Sequence, residues 1–309
     1  MSNLRYMAGG DAAGDPSGSI GRHAARTPHA ASPRASDDDL DLLTAPVSDE
    51  FIVDSDAVEQ EPEIDLRAVP DDSDDGELIH SMSGRLAVVT GANDGIGRAV
   101  ALALVAAGAR VCVLGRDADL LAAIVTDAGP DSPVVTLRCD LGSAAEVRSA
   151  ADFVTRFDRP VDVLVHCANV RVDGAIGTGD VADLDEQYLV NLRGPFLLTQ
   201  ALLGGIERGP GHVVFINPAD DATFTSDDTQ YAMTRSGVMA LAQGLRDETA
   251  PLGVRVTTVH VGGRLDDGRN DSLSPDDVAD CVLGAVEMPR RIEITDLHVR
   301  ARVAPGVDA

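Results

Sequence analysis

The sequence predicts a doubly wound α/β domain, a parallel sheet of about seven strands with helices on both faces, behind a disordered acidic extension. Three observations carry this expectation. Short, apolar, β-branched runs alternate with helical stretches from residue 85 to about residue 300. A turn punctuated by glycines, Thr90-Gly91-Ala92-Asn93-Asp94-Gly95-Ile96-Gly97, separates the first such run from the first helical stretch. The residues before Gly84 hold 5 basic against 19 acidic side chains, more than half of the formal charge of −26. That segment lacks the apolar surface needed to offset its ordering entropy.

Each element has its own signal. Residues 86–89 are a buried strand, and residues 98–107, rich in Ala and Leu, a helix stopped by Gly108. Residues 111–114 are a second strand, and 118–128 a helix ended by Gly129-Pro130. Residues 134–139 are a third strand, and 144–157 a helix. Residues 161–165 are a fourth strand, followed by a long helical stretch from Val181 to about Glu207, notched at Gly194-Pro195. Residues 212–216 are a fifth strand, 230–250 a helix stopped at Pro251, and 254–259 a sixth strand. Ser274 caps a last helix with Pro275 at its first position and acids in its first turn. Residues 291–297 close the sheet. The layout is therefore a tail over 1–80, a folded domain over 84–302 and a short tail over 303–309.

Ligand is expected at the carboxyl ends of the strands. In the glycine turn, Gly91 permits the sharp reversal, Gly95 lets backbone approach a pyrophosphate, and Gly97 lets helix pack on strand. The free N–H groups at the helix start face the phosphates.

Composition narrows the function classes. Aromatic residues are 3% of the chain and Trp is absent, so the core is built from Ala, Val, Leu and Ile. The charge of −26 argues against nucleic acid or an anionic membrane surface as a partner. All 25 basic residues are Arg. Cys112, Cys139, Cys167 and Cys281 lack Cys-x-x-Cys spacing, which reads as buried thiols in a reducing compartment rather than disulfides or a metal site. No apolar run approaches a membrane span, so the expected location is the cytoplasm. In the tail, the apolar islands at Leu40, Leu42-Leu43 and Phe51-Ile52-Val53 are either solvated or a docking segment for a protein partner.

The spacing Gly-x-x-x-Gly-x-Gly after Thr90 resembles the cofactor motif of the short-chain dehydrogenase/reductase family, and the resemblance runs from about Ser83 to Arg300. It implies a Rossmann-type domain, hydride transfer between a nicotinamide and a carbonyl carbon, and a homodimer or homotetramer joined by the long helices near Val181 and Gln230. Asp140, in Cys139-Asp140-Leu141, falls where the family's aspartate contacts adenine. Asn191 matches the helix asparagine of the catalytic tetrad, and Tyr231 the catalytic tyrosine. The resemblance assigns the cofactor to Gly91, Asn93, Gly95, Ile96, Gly97, Arg116, Asp140, Leu141, Ala168 and Gly262. No metal ligand is implied.

Departures from the pattern bear on chemistry. The lysine one helical turn after the tyrosine is Arg235, which keeps the charge but not the compact ammonium. Counting back from Tyr231, the serine position holds Pro218, which has neither hydroxyl nor N–H. Asn217, Thr223, Thr225 or Ser226 would have to supply the donor instead. The family's Asn-Asn-Ala-Gly is His166-Cys167-Ala168-Asn169, so a side chain stands where glycine lets backbone meet cofactor. His166 is either a proton-transfer group or, the favoured reading, a strand-end histidine satisfied by backbone. Gly115-Arg116 at the end of the second strand resembles the NADP-preferring pattern, with Arg116 placed to pair with a 2′-phosphate, so NADP(H) is expected over NAD(H). Asp94 opposes that phosphate. The acids Asp220, Asp221, Asp227 and Asp228 border the substrate cleft in the family and disfavour an anionic substrate, unless they are merely solvated. Three functions follow: a dinucleotide-binding protein whose oxidoreductase chemistry is weakened or lost, an active NADP(H)-dependent carbonyl reductase using Tyr231, or a scaffold acting through its acidic tail.

Overall fold

Seven strands form one parallel sheet: β1 (Leu86–Thr90), β2 (Arg110–Gly115), β3 (Val134–Arg138), β4 (Val163–His166), β5 (His212–Pro218), β6 (Arg255–Gly262) and β7 (Asp296–Arg300), in the order β3-β2-β1-β4-β5-β6-β7. This computed structural model describes residues 82–93, 95–129, 131–209, 211–218, 228–262 and 272–301. The acidic extension, the 303–309 tail, Asp94, the loop with Asp220, Asp221, Thr223, Thr225, Ser226 and Asp227, and residues 263–271 lie outside the described residues.

The helices are α1 (Gly95–Ala106), α2 (Ala118–Ala128), α3 (Ala144–Thr155), α4 (Val181–Tyr188), α5 (Gly194–Glu207), α6 (Thr229–Thr249) and α7 (Pro275–Glu287). Alternate strand residues face opposite sides, so the sheet supports two cores. Val89, Val113, Val214 and Val259 meet α1, α2 and α7 on one side. Val88, Leu114, Leu164 and Phe215 meet α3, α5 and α6 on the other. Both layers are aliphatic, as the composition requires. Cys112 and Cys139 are buried free thiols, pushed up to about 12 by that burial. Among the described residues no helix is long and apolar enough to cross a membrane.

The long stretch beginning at Val181 is not one notched helix. A π-helical turn, Leu189–Arg193, separates α4 from α5, and the Gly194 N–H reaches back five residues to the Leu189 carbonyl. Pro195 has no N–H to offer the preceding turn, so the widening falls just before it. Of the apolar residues on α5 and α6 read as subunit contacts, Leu198, Leu202, Val238 and Leu245 are buried within the chain, whereas Phe196 is 47% exposed.

The last strand starts later than the expected 291–297. Residues 291–294 run beside β6 but are fastened by side chains: Glu293 accepts from the Val256 N–H, and the Thr257 hydroxyl donates to the Ile294 carbonyl. Pairing with β6 begins only at Asp296, opposite Thr258. The start of α7 is as expected, with a capping box in which Ser274 and Asp277 each serve the other's backbone N–H.

Candidate functional site

The strand order reverses between β1 and β4, and a cleft of about 490 Å³ opens at the carboxyl ends of the strands there. Thr90 closes the floor: its hydroxyl oxygen accepts from the Cys167 and Ala168 N–H groups, tying the end of β1 to the end of β4. Gly91 follows with φ +68°, and a Cβ there would drive into the Ala168 backbone. A Cβ on Gly97 would meet the Gly91 carbonyl, which is why α1 can start directly against the turn. Gly95, at φ +50°, faces open space. The backbone at the start of α1 is thus bare, and its first N–H groups have no intrahelical acceptor. These features fit a pyrophosphate.

Nine of the ten residues expected to contact a cofactor line this cleft: Gly91, Asn93, Gly95, Ile96, Gly97, Arg116, Asp140, Leu141 and Ala168. Gly262 does not; it ends β6, opposite Arg300. Asn93 does more than line the wall. Its amide oxygen accepts from the Arg116 N–H at 2.9 Å and its Nδ2 donates to the Asp117 carbonyl at 2.8 Å. A Cβ at Gly115 would collide with that amide, so Gly115 and Asn93 are a steric pair. Asp117 turns its carboxylate onto the Asp119 and Leu120 N–H groups as the cap of α2. Asp140 is held by the turn that follows it, accepting from the Gly142 N–H at 2.9 Å while its own N–H donates to Glu146. Asn169, where the family carries glycine, has ordinary negative φ and presents its side chain at the cleft.

The three residues matched to the catalytic tetrad are brought together, but none of them lines that cleft. Asn191 lies in the π-helical turn, fully buried. Its Oδ1 accepts from the Val170 N–H and its Nδ2 donates to the Val170 carbonyl, both at 2.7 Å, with a further bond to Thr234 Oγ1 at 3.3 Å. Tyr231, in the first turn of α6, is 6% exposed. Two guanidinium groups approach its ring: Arg235 at 5.3 Å and Arg171 at 5.1 Å from the centroid. Arg235 is 4% exposed, and its Nε and Nη2 have no hydrogen-bond partner among the described residues. Burial pulls its pKa below the ordinary arginine value, against the opposing influence of Tyr231.

Arg171 was not singled out by the sequence. It donates to Asp228 at 2.8 Å and pairs with Asp173 at 3.4 Å, fastening the segment after β4 to the first residue before α6. No local spacing marks it, because residues 171 and 228 meet only once the sheet has formed.

His166 is buried at the end of β4, but its hydrogen bond is to a side chain, not backbone, and its Nδ1 has no partner among the described residues. Its Nε2 meets Thr199 Oγ1 of α5 at 2.8 Å, and its ring stacks on Phe215 at 4.9 Å. Burial pushes it down to about 3, so it is a neutral core residue. Asn217 follows Phe215 on the α6 side of β5 and is buried, with its Oδ1 unpartnered among the described residues. Pro218 ends β5 opposite Val261, so the backbone at the serine position is an ordinary strand end.

Proteins of similar sequence include an uncharacterized oxidoreductase of Staphylococcus saprophyticus, 29% identical over 229 residues, which are 71% of this chain and 98% of the relative. Another, from Staphylococcus aureus, is 29% identical over 227 residues with the same coverage. Among solved structures, a metagenomic short-chain oxidoreductase in complex with NADP matches with a TM-score of 0.64 at 30% identity, over 72% of this chain and 100% of that one. An alcohol dehydrogenase from Thermococcus sibiricus, complexed with 5-hydroxy-NADP, shares the fold with a TM-score of 0.65 at 24% identity, over 70% of this chain and 96% of that one. The switch-point cleft and the glycine turn lie within residues 85–273, which match the family model for short chain dehydrogenase, and the chain belongs to that family.

Proposed function

We propose that the chain binds a nicotinamide dinucleotide in the switch-point cleft, NADP(H) in preference to NAD(H), with oxidoreductase chemistry weakened or lost. The observation that carries the reading is the contrast between the two ends of the site. At the nucleotide end, nine expected contacts line one cleft around a bare helix start, and Asn93 fixes the backbone on both sides of Arg116. At the chemical end, the serine position is Pro218 and the cation beside Tyr231 is a buried guanidinium with two donors unpaired among the described residues. Loss of one donor to the reacting oxygen costs roughly 10²–10³ in rate.

When bound, the dinucleotide supplies a hydride donor or acceptor. The chain's own part is to hold it and to place a proton. The start of α1 would receive the pyrophosphate, Arg116 the 2′-phosphate and Asp140 the adenine side. Tyr231 is the proton donor. The placement of Arg235 one helical turn after Tyr231, 5.3 Å from its ring centroid, favours a second reading in which carbonyl reduction survives without the serine. Exposed Phe196 on α5, with Met233 and Met239 on α6, supplies apolar surface for a homodimer or homotetramer.

Calorimetric titration of the full chain with NADPH and then NADH tests the first reading. Binding of NADPH at micromolar concentrations with much weaker NADH is expected; no binding of either overturns it. Steady turnover of any simple ketone or aldehyde with NADPH, abolished in Tyr231→Phe while NADPH affinity holds, would favour the second reading.

A further inference from the structure

Among the described residues Arg116 is the only cation that lines the cleft, and it also lines a second groove of about 460 Å³ beside it. That groove runs between α4 and the turn after β3, and its charged walls are otherwise acidic: Asp140, Asp185 and Glu186. The backbone of Arg116 cannot move far, because Asn93 bonds to it and to its neighbour. Its side chain is free to swing, with 60% of it exposed. In the structure it points toward α4, with Nη1 3.8 Å from Glu186 Oε1. Asp117, the neighbouring acid, is committed to capping α2, so Glu186 is the carboxylate within ion-pair distance of this guanidinium among the described residues.

We propose that Glu186 sets the discrimination between NADPH and NADH, by competing with the 2′-phosphate for Arg116. The proposal rests on the dinucleotide reading above. In the free protein the guanidinium pairs with Glu186 across the groove. A 2′-phosphate must draw it away and leaves the Glu186 carboxylate facing another anion. NADH carries no such phosphate and makes no demand on Arg116, so Glu186 acts on one cofactor and is indifferent to the other. Glu186 is therefore a specificity-determining residue that lies outside the cofactor cleft itself.

The effect is bounded by exposure. Both partners are half exposed, and exposed pairs at such distances act weakly and are screened by salt. Replacing Glu186 by glutamine keeps its size and its place on α4 while removing the charge.

Calorimetric titration of the full chain, Glu186→Gln, Arg116→Ala and the double variant with NADPH and with NADH tests this. Glu186→Gln is expected to tighten NADPH about two- to fivefold at low salt. NADH affinity stays the same, and the gain fades at about 0.5 M salt. In the Arg116→Ala background most of the gain disappears, because the contested guanidinium is gone. An unchanged ratio of NADPH to NADH affinity in Glu186→Gln overturns the proposal, as does an equal gain for both cofactors or a gain that persists in full without Arg116. Those results leave the dinucleotide reading standing. Failure of the unmodified chain to bind either cofactor overturns both.

Discussion

Asn191 grips both backbone polar groups of Val170 with one amide, at 2.7 Å each. Val170 lies in the segment that leaves β4 along the cleft, so this side chain holds the cleft wall to the helix layer. Asn191→Ala leaves an N–H and a carbonyl without their partner in a part-buried setting. We expect a loss of about 1–3 kcal/mol in unfolding free energy by urea titration. A loss below about 0.5 kcal/mol would show that water replaces the amide at little cost. Asn191, Tyr231 and the glycine turn were legible because the family pattern fixes residue type and spacing together. Their partners were not. Thr199 under His166, Arg171 over Tyr231 and Glu186 beside Arg116 are 33, 60 and 70 positions apart in the chain. Such pairs are set by packing between layers, on which local spacing is silent.

At the scale of elements, sequence signals worked where the cause is local. Ser274, Pro275 and Asp277 mark the start of α7, and the capping box is formed. Bonds from the Ser274 backbone and hydroxyl hold the Asp277 carboxyl below its ordinary range. The helix packs Val278, Val282 and Val286 into the core it shares with α1. Ser274→Ala removes the side-chain acceptor for the Asp277 N–H and should cost about 1 kcal/mol in urea titration. An unchanged midpoint with unchanged slope would mean that water caps α7 equally well. Elements were misread where tertiary bonds compete with propensity. Residues 291–294 alternate charged and apolar side chains as a strand does, yet Glu293 and Ile294 are engaged by Val256 and Thr257 before the ladder starts. The notch at Gly194-Pro195 was visible, but not the π-helical turn before it, because proline reports a missing N–H and not how the preceding turn rearranges.

At the scale of the whole molecule, His166 and His212 are buried at opposite ends of the sheet, and burial favours their neutral form. His166 at the carboxyl end of β4 bonds to Thr199, and His212 at the start of β5 bonds to Thr257 at 2.7 Å. Burial pushes both down to about 3, with Arg255 adding to the effect at His212. In the unfolded chain each titrates near the ordinary value of about 6.5. Between these values the unfolded state binds more protons, so stability is fully present above about pH 6.5 and falls as the pH drops toward 3. Each group contributes a slope of up to about 1.4 kcal/mol per pH unit. The carboxylates held low, Asp277 and Asp296, act only below the ordinary aspartate value of about 3.9, whereas burial raises Asp162, so the histidine contribution has to be isolated by a paired comparison. The chain's excess of acids gives a background charge effect between about pH 6 and 4.5, which the same comparison removes. Urea unfolding of the full chain and of His166→Gln/His212→Gln, measured at steps across that interval, isolates the contribution. Glutamine keeps a hydrogen-bonding end for each threonine and cannot titrate. The double variant should lose stability with falling pH less steeply, by about 2–3 kcal/mol per unit. Parallel slopes would mean that the two imidazoles take up protons in the folded protein, and that water reaches the layers on which the sheet is packed.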